Sequence, residues 1–177
     1  MEASCHETDE TCLVDCAANG DADAFAELFN RYYPMIHAFA YRLTLRGSDA
    51  EDIAQDTFIK AARTLGSFRR DCPFKNWLYR IAVNAAEDAR RRDARQSRLA
   101  GELAASAMEV ARPRDHTRLT EALAALGEDL RQAIVLVYYE GMNHAEAARV
   151  LGCAETTVSW RVFRARHCLR KALRGSR

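Results

Sequence analysis

The carboxyl-terminal end of the chain combines side chains that are suited to contacting nucleic acid. Between residues 154 and 177 there are seven lysines and arginines but only one acid, Glu155. Hydroxyl groups and an aromatic ring lie among these cations. Such polar side chains contact base edges, while arginines contact phosphates or guanine. The candidate DNA contacts are Glu155, Thr156, Thr157, Ser159, Trp160, Arg161, Arg164 and Arg166.

Two helices separated by a glycine turn are predicted to position these side chains. Asn143 and Glu146 can form a capping box at the start of a short alanine-rich helix, and Gly152 provides the turn. The second helix carries apolar residues on one face and basic residues on the other. This pattern is typical of a helix-turn-helix, whose second helix enters the major groove. The alternative is a helical hairpin with a solvated basic face, which the spacing favours less.

A second cluster pairs aromatic rings with cations over residues 67–98. Phe68, Phe74, Trp77 and Tyr79 precede a run of arginines that begins at Arg90. Single-stranded DNA requires this combination, because unstacked bases need flat partners and the backbone needs positive charge. The competing interpretation is that the rings form hydrophobic core and the arginines a solvated face. The helical spacing of the rings, taken alone, slightly favours that second interpretation.

The elements that carry both clusters are predicted to be helical. Apolar residues recur every three or four positions, and only three prolines and eight glycines interrupt the chain. We expect Pro34 to divide the first stretch into two helices. The apolar residues from Leu123 to Val137 predict one amphipathic helix. The predicted fold class is therefore all-α, with two small helical domains joined by a flexible linker, the second being a helix-turn-helix.

Changes in pattern and charge divide the chain into four segments. Residues 1–20 form an acidic extension, since the first 30 residues contain eight acids and no lysine or arginine. Residues 21–95 form the first helical domain. Periodicity weakens over residues 96–116, around Pro113, and we interpret this segment as the linker. Residues 117–177 form the second domain.

Composition and motifs narrow the function classes. The net charge of +1 does not argue against a DNA partner, because phosphate attraction depends on the local potential. The amino terminus lacks a leader pattern, and no apolar run approaches the roughly 20 residues that cross a bilayer. We therefore expect a cytoplasmic protein without membrane insertion. Phosphate loops, paired metal-binding histidines and nucleophile motifs are missing from the sequence, so neither an enzyme nor a cofactor is expected.

Four potential metal ligands lie near the amino terminus: Cys5, His6, Cys12 and Cys16. Cys12 and Cys16 are four residues apart and would share a helix face, and four soft ligands suit tetrahedral zinc. The spacing matches no common zinc pattern, and the adjacency of Cys5 and His6 strains simultaneous ligation. We therefore expect ordinary reduced thiols, with a metal or redox role as the alternative.

Two long stretches resemble a known family. The segment DAEDIAQDTFIKAARTLGSFRRDCPFKNWLYRIAVNAAEDARRR is similar to the promoter-melting domain of extracytoplasmic-function (ECF) sigma factors, a subfamily of the sigma-70 type. The segment LRQAIVLVYYEGMNHAEAARVLGCAETTVSWRVFRARHCLRKAL is similar to their carboxyl-terminal domain, which reads the −35 element. A regulator that uses only the helix-turn-helix is the competing class. It would need a sensor domain upstream, which the helical first block does not supply.

The resemblance implies surfaces for RNA polymerase core and for melted DNA. A helix over residues 50–61 would dock on the largest subunit, beta-prime, while the helix from residue 117 would help to engage the flap of the beta subunit. The implied docking residues are Asp52, Gln55, Asp56 and Phe58. The loop over residues 69–75 and the following helix would hold a flipped base of the −10 element. The implied −10 contacts are Arg69, Phe74, Lys75, Trp77, Arg80 and Asn84.

The resemblance further implies promoter DNA as a ligand and an anti-sigma factor as a partner. Two positions depart from the family pattern. Most members carry glycine where Thr156 stands, and serine is more frequent where Trp160 stands. Both residues lie on the expected DNA-facing side, so they leave open which −35 sequence is read.

Overall fold

The computed structural model describes residues 10–100 and 118–174, and every regular element within these ranges is a helix. The prediction of an all-α chain with two helical domains is confirmed. Most of the expected linker, residues 101–116, lies outside the described residues. The α-helices are α1 (Glu10–Ala18), α2 (Ala22–Thr44), α3 (Gly47–Thr64), α4 (Phe74–Ala100), α5 (Arg118–Ala124), α6 (Glu128–Tyr138), α7 (His144–Leu151) and α8 (Glu155–Arg174), with one 3-10 turn at Leu65–Ser67.

Helix α2 is the central element of the first domain, and it runs through Pro34 without a break. The expected division into two helices is therefore wrong. Tyr32 and Ile36, which flank the proline four residues apart, are both buried, so the apolar stripe stays in phase across it. Packing of both halves against one hydrophobic core outweighs the single backbone hydrogen bond that proline removes.

Helices α1, α3 and α4 surround α2. The side chains of Leu28, Ile36 and Phe39 on α2 are at most 1% exposed, and Leu78 on α4 is fully buried. Burial of each such side chain stabilises the fold by about 1.5–3 kcal/mol. This apolar packing holds the outward faces of α3 and α4, which carry the predicted binding residues.

The second domain contains two helices where the apolar pattern predicted one. Helix α5 ends at Ala124, and α6 begins at Glu128 after a turn in which the Leu126 N–H donates to the Leu123 carbonyl. The single-helix expectation is wrong, because Gly127 favours a break at this point, with Leu126 buried before it and Leu130 half-buried after it.

The helix-turn-helix has the predicted local geometry. Asn143 accepts from the Glu146 backbone, the Glu146 side chain accepts in return, and Gly152 ends α7 with a φ of 62°. Both features confirm the capping-box and glycine-turn predictions. The two domains also touch each other, with α4 against α7 and α2 against α6. Across residues 10–100 and 118–174, helices that are both long and apolar enough to span a bilayer are absent.

Candidate polymerase and promoter interfaces

The exposed face of α3 carries three of the four predicted docking residues. Asp52 and Gln55 are exposed, and Asp56 is half-buried. All three line an open groove of about 530 Å³ between α3 and α4. Arg92 of α4 forms an ion pair with Asp56 at 3.4 Å between nitrogen and oxygen. Arg46, Arg90 and Arg131 also line the groove, so most of its charge is balanced within the chain, while Asp52 and Gln55 stay exposed to a partner.

Phe58, the fourth predicted docking residue, lies in the hydrophobic core. It is 4% exposed and packs against Phe29 at 4.9 Å between ring centroids. The apolar side chain on the exposed face is instead Ile59, which is 48% exposed and lines the groove. The sequence reasoning missed Ile59. Its spacing of seven residues from Asp52 places both on one helix face, and that signal could have found it.

The predicted −10 residues fall into three groups by exposure, and Trp77 by itself is the half-buried one. Arg69, Lys75, Arg80 and Asn84 are exposed, so they are available to a ligand. Phe74 is 3% exposed, which makes it part of the hydrophobic core.

The aromatic cluster beneath the loop is formed by Phe68, Phe74 and Trp77. Phe68 and Trp77 are both half-buried, and the ring centroids lie 5.1–5.6 Å apart among the three pairs. Phe74 also meets the Tyr32 ring at 5.4 Å. These rings hold the loop against α2, and Trp77 is the ring that remains partly open. Phe74 is therefore hydrophobic core, as the competing interpretation held, while a contact between Trp77 and single-stranded DNA stays a prediction.

Arg70, which the sequence reasoning did not select, has an uncommon backbone. Its φ of 59° is left-handed, a conformation that costs a residue other than glycine, asparagine or aspartate about 1–2 kcal/mol. Its guanidinium forms an ion pair with Asp15 of α1. A single sequence offers no signal for this geometry, because arginine is not a turn residue.

One side of the amino-terminal half of helix α8 faces solvent. Glu155 and Thr156 are exposed, and Trp160 is 59% exposed. The Arg164 guanidinium lies 6.0 Å from the Trp160 ring centroid, so ring and cation form one surface. Phe163, a residue that the sequence reasoning did not select, is 68% exposed. Its position three residues after Trp160 was a usable signal.

The other predicted −35 residues make contacts within the domain. The Arg161 guanidinium is 3.0 Å from the Asp129 carboxylate, and its side chain is only 18% exposed. The Ser159 hydroxyl lies 2.8 Å from Nδ1 of His144. Thr157 is half-buried. Arg166 is exposed, and its guanidinium lies over the ring of Tyr138.

Glu140 joins the two domains. Its side chain is 10% exposed and accepts hydrogen bonds from the Tyr79 hydroxyl of α4 and from the Arg42 guanidinium of α2 at 3.3 Å. Arg42 also lies 4.9 Å from the Tyr139 ring centroid. Burial, followed by the bond to Glu140, raises the pKa of the Tyr79 hydroxyl well above its usual range. Arg90 and Glu128 add an ion pair of 2.6 Å across the same boundary.

The candidate metal ligands are only partly within the described structure. Cys12 and Cys16 lie on α1, whereas Cys5 and His6 lie outside the described residues. Within residues 10–100 and 118–174, groups of three or more histidine, cysteine or acidic side chains that could hold a metal ion are absent.

Two family descriptions match the chain, each covering one helical domain. Sigma-70 region 2 matches residues 28–96, and Sigma-70 region 4 matches residues 116–169. The RNA polymerase sigma-H factor of Pseudomonas aeruginosa is 37% identical, over 91% of this chain and 92% of its own length. The ECF RNA polymerase sigma factor SigM of Mycobacterium tuberculosis is 38% identical, over 95% of this chain and 86% of its own.

Two solved structures have a similar fold. One is the sigma factor RpoE of Bartonella quintana in complex with the anti-sigma factor NepR. It matches with a TM-score of 0.75 and 30% identity, over 86% of this chain and 98% of that chain. The other is CnrH in complex with the cytosolic domain of CnrY, with a TM-score of 0.72 and 32% identity over 95% and 99%.

The matches to Sigma-70 regions 2 and 4, in this order on two helical domains, define a sigma factor of the sigma-70 class. The relatives narrow the class further. The chain belongs to the extracytoplasmic-function sigma factors, the subfamily that the sequence resemblance indicated, and it serves promoter-directed transcription initiation.

Proposed function

We propose that this sigma factor binds core polymerase through the α3 face, reads the −10 element with the loop before α4, and reads the −35 element with α8. It acts in the cytoplasm and performs no catalysis itself. The observation that carries the proposal is the separation of three exposed surfaces on two domains that match sigma-70 regions 2 and 4.

The −35 assignment is supported by the exposed surface of α8. Thr156, Trp160 and Arg164 project from one side of a helix whose opposite side is buried through Val158 and Val162. A recognition helix needs this division, because only side chains outside the hydrophobic core can enter the major groove. Arg161 contributes by fixing α8 on α6 through Asp129.

The −10 assignment is supported by cations around a partly open ring. Arg69, Lys75 and Arg80 are exposed around the loop, and Trp77 offers a partly accessible ring. An unstacked base gains from an aromatic contact, while the cations attract the backbone. Phe74 supports this surface from beneath rather than contacting DNA.

Polymerase docking is supported by the combination of charge and apolar area on α3. Asp52, Gln55 and Asp56 surround Ile59 on the exposed face. Carboxylates accelerate encounter with a basic surface and fix register, while a central apolar side chain supplies burial energy.

The closed arrangement of the two domains supports control by a partner. The −35 and −10 elements lie about 25 base pairs apart, which at ~3.4 Å per base pair is about 85 Å. In this chain α4 of the first domain packs directly against α7 of the helix-turn-helix, so the −10 loop before α4 and the −35 helix lie much closer together than that. To read both promoter elements at once, the two domains must therefore separate, which breaks the contacts of Glu140 with Tyr79 and Arg42. Both structural relatives are held by anti-sigma partners, and we propose such a partner here.

Run-off transcription with purified core polymerase and a library of genomic promoters tests the function. We expect promoter-specific transcripts that depend on both elements, together with a stable complex between the chain and core polymerase. The proposal would be overturned if the chain fails to bind core polymerase. It would also be overturned if the chain binds an operator as a dimer and regulates transcription without itself joining the polymerase.

A further inference from the structure

We propose that α1 sets the shape of the −10 reading loop, with Asp15 as a positioning residue for base selection. This inference rests on the proposed function, because it assigns a task to the same loop. Two independent observations carry it: the ion pair between Asp15 and Arg70, and the left-handed backbone of Arg70.

The backbone of Arg70 requires support from outside the loop. Among the described residues, the other non-glycine position with a positive φ is Leu45, where the N–H of the residue bonds the Tyr41 carbonyl and closes α2. Arg70 lies between the 3-10 turn and α4, so the end of a helix does not account for its conformation. Unfavourable backbone geometry persists where the surroundings impose it, and such positions concentrate at functional sites.

Helix α1 is a fixed platform for this contact. Leu13 and Val14 are buried, and the Glu10 carboxylate accepts a hydrogen bond from the Tyr32 hydroxyl of α2. Helix α1 also contacts the 3-10 turn that leads into the loop. Asp15 therefore holds Arg70 from a helix that is anchored on α2 by its own buried contacts.

The consequence for DNA concerns the neighbouring cations. With Arg70 directed towards α1, Arg69 and Lys75 remain exposed on the loop for the DNA backbone. The ion pair determines which loop conformation presents them, and so determines how the flipped base is accommodated. Asp15 acts through Arg70 and needs no contact with DNA itself.

The test compares transcription from promoters that differ by single bases in the −10 element. The measured quantity is the −10 ratio, which is transcription from the preferred −10 sequence divided by transcription from a single-base variant of it. We expect Asp15→Asn to lower this ratio about three- to fivefold, since an exposed ion pair changes an equilibrium by at most a factor of about five. The matching ratio for −35 changes, and affinity for core polymerase, should stay unchanged. The double exchange of Asp15→Arg with Arg70→Asp should recover the ratio, because it rebuilds the pair and aspartate tolerates a left-handed backbone.

The matched control is Glu27→Gln, which removes an ion pair to Arg31 of similar exposure on α2. We expect no change in the −10 ratio from this variant. An unchanged ratio in Asp15→Asn, a parallel fall in both ratios, or a uniform rise in transcription would overturn the proposal. The double exchange failing to recover the ratio would do the same, since it would mean that Arg70 contacts DNA directly. If the unaltered chain gives no promoter-specific transcript, the proposed function itself fails.

Discussion

The two proposed DNA surfaces of this sigma factor differ in how their aromatic residues are placed. On α8, Trp160 and Phe163 are more than half exposed, and the helix is held by a different face. Around the −10 loop, Phe74 is buried and Trp77 is half-buried among neighbouring rings. These exposed rings of the proposed −35 surface can therefore vary without loss of stability. At the −10 surface, the rings that shape the site also hold the first domain together.

The sharpest comparison is between two phenylalanines. We expect Phe74→Ala to lower the free energy of unfolding by about 3–5 kcal/mol, because it removes a buried ring that packs against Tyr32 and Trp77. Phe163→Ala should change it by about 0.5 kcal/mol or less, since that ring is exposed. Urea denaturation monitored by circular dichroism measures both. If both variants lost the same free energy of unfolding, the aromatic residues of the two surfaces would contribute equally to stability, contrary to this comparison.

A second experiment separates the domains that carry the two surfaces. Glu140→Ala leaves the Tyr79 hydroxyl and the Arg42 guanidinium without their shared acceptor, which costs about 1–3 kcal/mol of interdomain packing. We expect a larger radius of gyration by small-angle X-ray scattering and tighter binding to −35 duplex DNA. Glu121→Ala, another acidic change in the second domain, is the control. An unchanged radius of gyration would contradict the proposal that Glu140 holds the two domains together.

Within α8, two arginines one turn apart distinguish DNA contact from internal support. We expect Arg164→Ala to reduce transcription from −35-dependent promoters about tenfold, the value of roughly 1.4 kcal/mol typical of a base contact. Arg161→Ala removes the ion pair to Asp129 and should lower the stability of the second domain as well. Promoter-specific transcription and thermal unfolding, measured on both variants, test this. If Arg164→Ala also lowered the stability of the second domain, Arg164 would be a supporting residue like Arg161 rather than a DNA contact.

The smallest expected effect lies outside both DNA surfaces. Charge reversal at Asp52 should weaken binding to core polymerase about fivefold, since an exposed charge pair contributes up to about 1 kcal/mol. DNA binding by the second domain should be unchanged. Fluorescence anisotropy with labelled core polymerase, at two salt concentrations, measures the effect. Charge reversal at Asp23, on the first turn of α2, is the control.

Local signals in the sequence predicted much of the fold. The capping box of Asn143 and Glu146 and the turn at Gly152 both depend on neighbouring residues, and both are confirmed. The division of α2 at Pro34 was wrong, because the local preference of proline yields to packing along the whole helix. The break at Gly127 was missed for a related reason, since Leu123, Leu126 and Leu130 continue the apolar pattern across the turn.

The sequence by itself determined the all-helical class, the order of the two domains and the register of the helix-turn-helix. These depend on periodicity, caps and glycine, which act over a few residues. Only the tertiary structure decided that Phe58 is buried while Ile59 is exposed, and that Arg161 turns to Asp129. It also joined Tyr79 to Glu140, 61 residues apart. Such contacts depend on which elements pack together, and no local pattern encodes that choice.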